Sequence, residues 1–172
     1  MTICPAAQSI KRKPRMNGGV DLCTVEEIYF TYRNTVYRFA LSYTRNVTDA
    51  EDVTQTVFLK YLNHKDRISI GKEKQWLLRV AYHECVELFR QMQHLSSEPV
   101  PEPAFQDTVS SDLFHALQAL RPEYRAVVHL FYYEGYSTKE IGKLMKVSQT
   151  CVTTRLSRAR DILKAELEGV KK

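Results

Sequence analysis

The sequence predicts an all-α protein: two small helical domains joined by a flexible linker, the second domain containing a helix-turn-helix. Three observations predict it. Apolar residues recur at helical spacing in two separate blocks of the chain. Between the blocks, Pro99, Pro101 and Pro103 alternate and disfavour both helix and sheet. Within the second block, a capped short helix, a tight turn and a capped longer helix follow one another.

Residues 1–19 read as a flexible basic tail. They hold Pro5, Pro14, Gly18 and Gly19, carry Lys11, Arg12, Lys13 and Arg15, and show no apolar period. Residues 20–94 form the first domain. Its first helix is marked by Ile28, Tyr32, Val36, Phe39, Ala40 and Tyr43. A second helix is expected from Thr48, because Thr48 and Glu51 have capping-box spacing. Val53, Val57 and Tyr61 continue it as a stripe. Residues 63–72, mostly polar and containing Gly71, read as a loop. A third helix follows from about Glu73 to about Gln93, with Leu77, Ala81, Cys85, Leu88 and Met92 on one ridge and Trp76 and Val80 beside it. Three such helices can bury a common core.

Residues 95–111 form the linker. Fully extended they would reach roughly 55–60 Å, more than one turn of duplex at about 34–36 Å. Residues 112–172 form the second domain. Leu113, Ala116, Leu117 and Leu120 mark a short helix, and Pro122 suits the first turn of the next. Val127, Val128 and Phe131 extend that helix, and Gly135 stops it. Ser137 and Glu140 have capping-box spacing, with Ile141 and Leu144 buried behind them. Lys146 and Val147 make the turn. Ser148 caps a last helix carrying Val152, Leu156, Ala159, Ile162, Leu163 and Leu167.

The composition is that of a soluble globular chain, 44% hydrophobic and 26% charged. No apolar run is long enough to span a membrane, and no secretory signal is recognisable, so a cytoplasmic protein without membrane insertion is expected. The formal net charge is +5, and its distribution is more informative. Residues 16–95 are balanced, residues 96–111 carry acidic groups only, and residues 112–172 carry eleven basic groups against seven acidic ones. A basic excess on a folded segment suggests an anionic partner, nucleic acid first. Cys4, Cys23, Cys85 and Cys151 match no metal or redox spacing, and the histidines are scattered. No metal, no cofactor and no catalytic residue is expected.

The strongest local signal is STKEIGKLMKVSQTCVTTRLSRAR at 137–160. Its second helix would enter a major groove with its N-terminal residues at base edges. Ser148, Gln149, Thr150, Thr153 and Thr154 are placed to reach bases or phosphates, and Arg155, Arg158 and Arg160 suit phosphate or guanine. Lys146 stands where glycine would be easier if the turn is left-handed.

The segment YYEGYSTKEIGKLMKVSQTCVTTRLSRARDIL resembles region 4 of the extracytoplasmic-function (ECF) type of sigma-70 family RNA polymerase sigma factors, and LQALRPEYRAVVHL resembles the start of that domain. Upstream, YRNTVYRFALSYTRNVTDAEDVTQTVFLKYL and WLLRVAYHECVELFRQ resemble region 2. The resemblance implies a non-enzymatic factor that binds core RNA polymerase and directs it to the −10 and −35 elements of promoter DNA, with an anti-sigma factor as a further partner. It implies that Asp52, Gln55 and Phe58 dock on polymerase. It places −10 recognition at Asn63, Lys65, Arg67, Lys72, Lys74, Gln75, Arg79, Tyr82, His83 and Arg90, and −35 recognition on the last helix. Melted DNA needs base pockets and cationic support, which such residues can supply. His83, Glu87 and Gln91 depart from the family's usual residues, as does the stretch 150–154. Other readings are a stand-alone helix-turn-helix regulator, which would bind palindromes as a dimer, a sigma-like adaptor, and, weakest, an enzyme, for which no nucleophile–base set, phosphate loop or metal cluster is visible.

Overall fold

The structure, a computed structural model, describes residues 22–95 and 112–169, and all the regular elements among them are helical. The expected tail lies outside the described residues, as does the expected linker apart from Leu95, which closes a helix. The N-terminal unit is a three-helix bundle of α1 (Leu22–Thr44), α2 (Val47–His64) and α3 (Glu73–Leu95). The C-terminal unit comprises α4 (Asp112–Ala119), α5 (Pro122–Val128), α6 (Thr138–Met145) and α7 (Gln149–Gly169).

Helix α1 buries Ile28, Val36, Phe39, Ala40 and Tyr43, on the stripe that periodicity predicts. It ends where Arg45 turns left-handed, at φ 59°. The start of α2 differs from expectation. Asn46, in extended conformation, caps it by accepting from Thr48 N at 2.9 Å and Asp49 N at 3.3 Å. Thr48 therefore sits inside the helix and donates its amide to the cap, so it does not form a box with Glu51. At its other end α2 runs on to His64, which puts Asn63 in the helix and not in the loop. A short 3-10 turn, Lys65–Arg67, and Gly71 at φ 81° then lead into α3.

In the C-terminal unit Pro122 opens α5 behind Arg121, as expected. The helix widens into a π-turn at His129–Tyr133, and Gly135 at φ 74° closes it. The capping box forms as the spacing predicts. Glu140 N donates to Ser137 Oγ at 3.3 Å, and Ser137 N donates back to Glu140 Oε2 at 2.9 Å. Lys146 ends α6 left-handed at φ 56°, and Ser148 Oγ accepts from Cys151 N at 3.1 Å to start α7. The turn is so tight that Val147 N meets Gly142 O at 2.9 Å. A Cβ on Gly142 would lie 2.9 Å from the Val147 carbonyl oxygen.

The two units do not stand apart. One continuous apolar core runs from Ile28 and Phe39 through Ala126, Val127 and Leu130 to Ile141, Val152 and Leu156. Helix α5 packs on α1, and α6 packs on α3. The polar centre of this junction is Arg125, 9% exposed. Its Nε donates to Ser42 O at 2.9 Å and its Nη2 to Tyr43 O at 3.0 Å. Its Nη1 donates to Leu120 O at 2.7 Å inside its own unit. The last carbonyls of a helix lack intrahelical donors and carry the negative end of its dipole. Helix α1 has no basic residue in its last turn, so Arg125 supplies that cation from the other unit. Each charge-assisted hydrogen bond contributes about 1.5–3 kcal/mol, against a desolvation cost for the buried guanidinium of several kcal/mol.

A second polar contact lies beside it. Lys74 Nζ meets Glu134 Oε2 at 2.8 Å, and His129 Nε2 lies 3.5 Å from the same carboxylate's other oxygen. Burial alone would raise the Glu134 carboxyl, but hydrogen bonding and charge from His129 and Lys74 outweigh it and hold the group below its ordinary value. The His129 ring meets Phe39 edge-on at 5.6 Å.

Two expectations follow. Gly142→Ala should destabilise the chain by about 1–3 kcal/mol, because the carbonyl it meets is backbone and the helix gains only about 1 kcal/mol of propensity. Denaturant titration with unchanged midpoint would remove the steric account. A carboxylate whose folded pKa is depressed stabilises at pH above its unfolded value, and that contribution is lost as pH falls through the folded one. Thermal midpoints should thus fall on acidification below the ordinary carboxylate range, and Glu134→Gln should flatten that part of the profile. Superimposable acid profiles would contradict it.

Candidate nucleic-acid interface and docking groove

The first surface is the N-terminal half of α7. Ser148, Gln149, Thr150, Thr153 and Thr154 are all exposed there, as an element that reads base edges must be. Gln149 is steadied by donating to Thr138 Oγ1 at 3.0 Å. Thr153 and Thr154 donate their hydroxyls to backbone carbonyls one turn back, which leaves hydroxyl lone pairs and methyl groups outward. Arg155 and Arg158 fall one turn apart and line a cleft of about 480 Å³ between α7 and the start of α5. Arg121, Tyr124 and Cys151 line the same cleft, and none of these three was singled out from the sequence. Arg160 is turned elsewhere. Its Nε donates to Tyr132 Oη at 2.8 Å and its guanidinium lies over the Phe131 and Tyr132 rings. Of the three arginines expected on this surface, two are together and the third packs on the π-turn.

The second surface surrounds the α2–α3 connection. Asn63, Arg67 and Lys72 are exposed, and Lys65 and Gln75 are half-buried. Gln75, Arg79, His83 and Arg90 recur at helical intervals along one face of α3. Arg90 is ion-paired with Glu87 at 3.0 Å, and His83 Nδ1 lies 2.6 Å from Arg79 O. Two residues assigned here stand apart. Lys74 is engaged with Glu134 and lies over the Tyr136 ring. Tyr82 is 8% exposed and packs edge-on against Tyr43, so it belongs to the core in this arrangement. Burial raises its phenol, and Arg155 close by partly offsets that shift. Trp76 is half-buried, its ring against Tyr61 and His64.

The third surface lies on α1 and α2. Asp52 and Gln55 are exposed, whereas Phe58 is buried with its ring edge-on to Tyr29. Beside them an apolar groove of about 430 Å³ is lined by Tyr29, Phe30, Gln55, Phe58, Leu59 and Leu62, among others. Phe30 is 68% and Leu59 61% exposed. Side by side, these exposed apolar side chains make the groove a candidate docking surface. Leu59 and Leu62 were legible in principle: they fall off the Val53–Val57–Tyr61 stripe, and so face away from the bundle's own core.

Among the described residues no helix is long and apolar enough to cross a membrane, and no group of three or more His, Cys, Asp or Glu could hold a metal ion.

Two family descriptions match the chain, one for each helical unit. The description "Sigma-70 region 2" matches residues 28–94, and "Sigma-70, region 4" matches residues 110–163. The chain is 31% identical over 153 residues to the ECF RNA polymerase sigma factor SigM of Bacillus subtilis, covering 83% of this chain and 94% of SigM. It is 30% identical over 155 residues to the RNA polymerase sigma factor CarQ of Myxococcus xanthus, covering 84% and 88%. Among solved structures, the sigma factor RpoE of Bartonella quintana, in complex with the anti-sigma factor NepR, shares its fold. The TM-score is 0.70 at 20% identity, over 84% of this chain and 97% of that one. CnrH, in complex with the cytosolic domain of CnrY, gives 0.63 at 22% identity, over 87% and 90%. With both regions matched in order and SigM aligned almost end to end, the chain belongs to the ECF RNA polymerase sigma factors of the sigma-70 family.

Proposed function

We propose that this sigma factor binds core RNA polymerase through α1 and α2 and directs it to promoters that it reads with two separate helical surfaces. The observation that carries the reading is the exposed N-terminal face of α7, capped by Ser148 and flanked by Arg155 and Arg158 on a well-formed helix-turn-helix. That face would read −35 duplex, the arginines meeting phosphate or guanine. The cluster Asn63, Lys65, Arg67, Lys72 and Gln75, with Arg79, His83 and Arg90 along α3, would support the opened −10 strand. Asp52 and Gln55 would orient polymerase, while Leu59, Leu62 and Phe30 supply the apolar contact, with Phe58 as the floor of the groove.

Residues 20–94 and 112–172 are the two working domains in this reading, and each surface is small enough that useful promoter affinity needs both at once. The chain catalyses no reaction and acts in the cytoplasm, where polymerase is. An anti-sigma factor is a further partner, in keeping with the complex of RpoE with the anti-sigma factor NepR. A stand-alone regulator would not need an apolar groove on the unit remote from the helix-turn-helix.

Run-off transcription with purified core enzyme tests the reading. The chain should confer start-site selectivity that core enzyme alone lacks. Leu59→Glu should abolish co-purification with core, since it puts a charge in an apolar contact. Arg158→Ala should lower −35-dependent output roughly tenfold, within the 1–3 kcal/mol typical of a base- or phosphate-reading arginine. Duplex binding should weaken as salt rises. Core enzyme that ignores the wild-type chain, or accepts it without choosing start sites, would end the proposal.

A further inference from the structure

We propose that the apolar groove between α1 and α2 is occupied in the free chain by the chain's own N-terminal segment, residues 10–21, which competes there with core RNA polymerase. The competition rests on the function proposed above; the occupancy does not.

The groove has an apolar floor and an acidic end. Helices α1 and α2 are neighbours joined by the short turn at Arg45 and Asn46, so the beginning of α1 and the end of α2 share one end of the groove. Phe30, Leu59, Leu62 and Tyr29 are all exposed along it. Gln55, Leu59 and Leu62 fall on one face of α2, and one turn before Gln55 that face carries Glu51 and Asp52, both exposed. Asp49 adds to this end: burial raises its carboxyl, and the charge of Asp52 raises it further. On the α1 side Arg33 lies over the Tyr29 ring at 5.9 Å, a single cation that leaves the carboxylates in excess. Among the described residues neither Glu51 nor Asp52 is ion-paired.

The segment before Leu22 has the matching chemistry in the matching order. It joins α1 three residues before Val25, which lines the groove. To lie along the groove it must reverse direction, and Gly18 and Gly19 can take the positive φ that a reversal requires. Val20 and Met16 bracket that pair, and the unbranched thioether of Met16 suits an irregular apolar surface. Arg15, Lys13, Arg12 and Lys11 come next, with no acidic residue before Asp21. Residues 16–21 reach about 20 Å when extended. From Leu62 back to Glu51 the helix rises only about 16 Å. Met16 therefore reaches the apolar floor, and the basic run beyond it meets the acidic end. Tethering presents the segment at an effective concentration on the order of millimolar, which favours it over a second copy or a free peptide. An occupied groove withholds Phe30, Leu59 and Leu62 from polymerase. Apparent affinity then falls with the fraction of chains whose groove is free.

Photo-crosslinking and core binding, both on the full chain, test this. With Gln55→benzoylphenylalanine, illumination should crosslink position 55 to residues 10–21 of the same chain, read by mass spectrometry of the digest, and added salt should lower the yield. Lys11→Gln, Arg12→Gln, Lys13→Gln and Arg15→Gln together should cut that yield severalfold. In an otherwise natural chain, the same four changes should tighten binding to core polymerase, measured without DNA, by about threefold or more. Met16→Ser changes no charge and should move both readouts the same way, which separates occupancy from any direct attraction between the basic run and polymerase. Crosslinks to a second copy, or to no part of residues 10–21, would overturn the occupancy. Crosslinks lost in the variants without a gain in core binding would overturn the competition. A natural chain that crosslinks as expected but does not bind core would end the function proposed above, and the competition with it, while the occupancy stands.

Discussion

A guanidinium enclosed by protein must find acceptors for its donors, because leaving them unmade costs more than making them gains. Arg125 finds them at the end of another helix, some eighty residues back along the chain. That constraint determines how α5 meets α1, and through α5 it determines where the π-turn, α6 and α7 lie. The ion pair of Lys74 with Glu134 and the edge-on contact of His129 with Phe39 follow from the same placement. Without Arg125 two of the last carbonyls of α1 would lose their donor.

The same arrangement sorts the surfaces. What faces the junction is committed to the protein itself, and what faces away is free for partners. The N-terminal residues of α7 face away, as does the groove of Phe30, Leu59 and Leu62. The α2–α3 connection is divided, with Asn63, Arg67 and Lys72 exposed and Lys74 engaged. On the proposed reading, an apolar protein surface, an opened strand and a duplex would each meet a surface of suitable residue types.

Much of this was legible in the sequence because it is local. Helical period located the core stripes of α1 and α7, and the Ser137–Glu140 box and the Ser148 cap are short-range patterns whose geometry is nearly independent of the rest of the fold. The left-handed Lys146 was legible for the same reason. Local patterns also misled where two were in competition. Asn46 and Thr48 both suit an N-cap, and Asn46 prevails because the chain has already turned at Arg45. The resemblance grouped Tyr82 with the DNA-facing residues of α3, yet it adjoins Ala81 and Cys85 and turns inward with them. Arg125 carried no signal at all. Its acceptors are backbone carbonyls, which no side-chain pattern records, and they belong to a remote helix end whose availability depends on packing. The role of Gly142 is likewise set by the approach of the Val147 carbonyl across the turn.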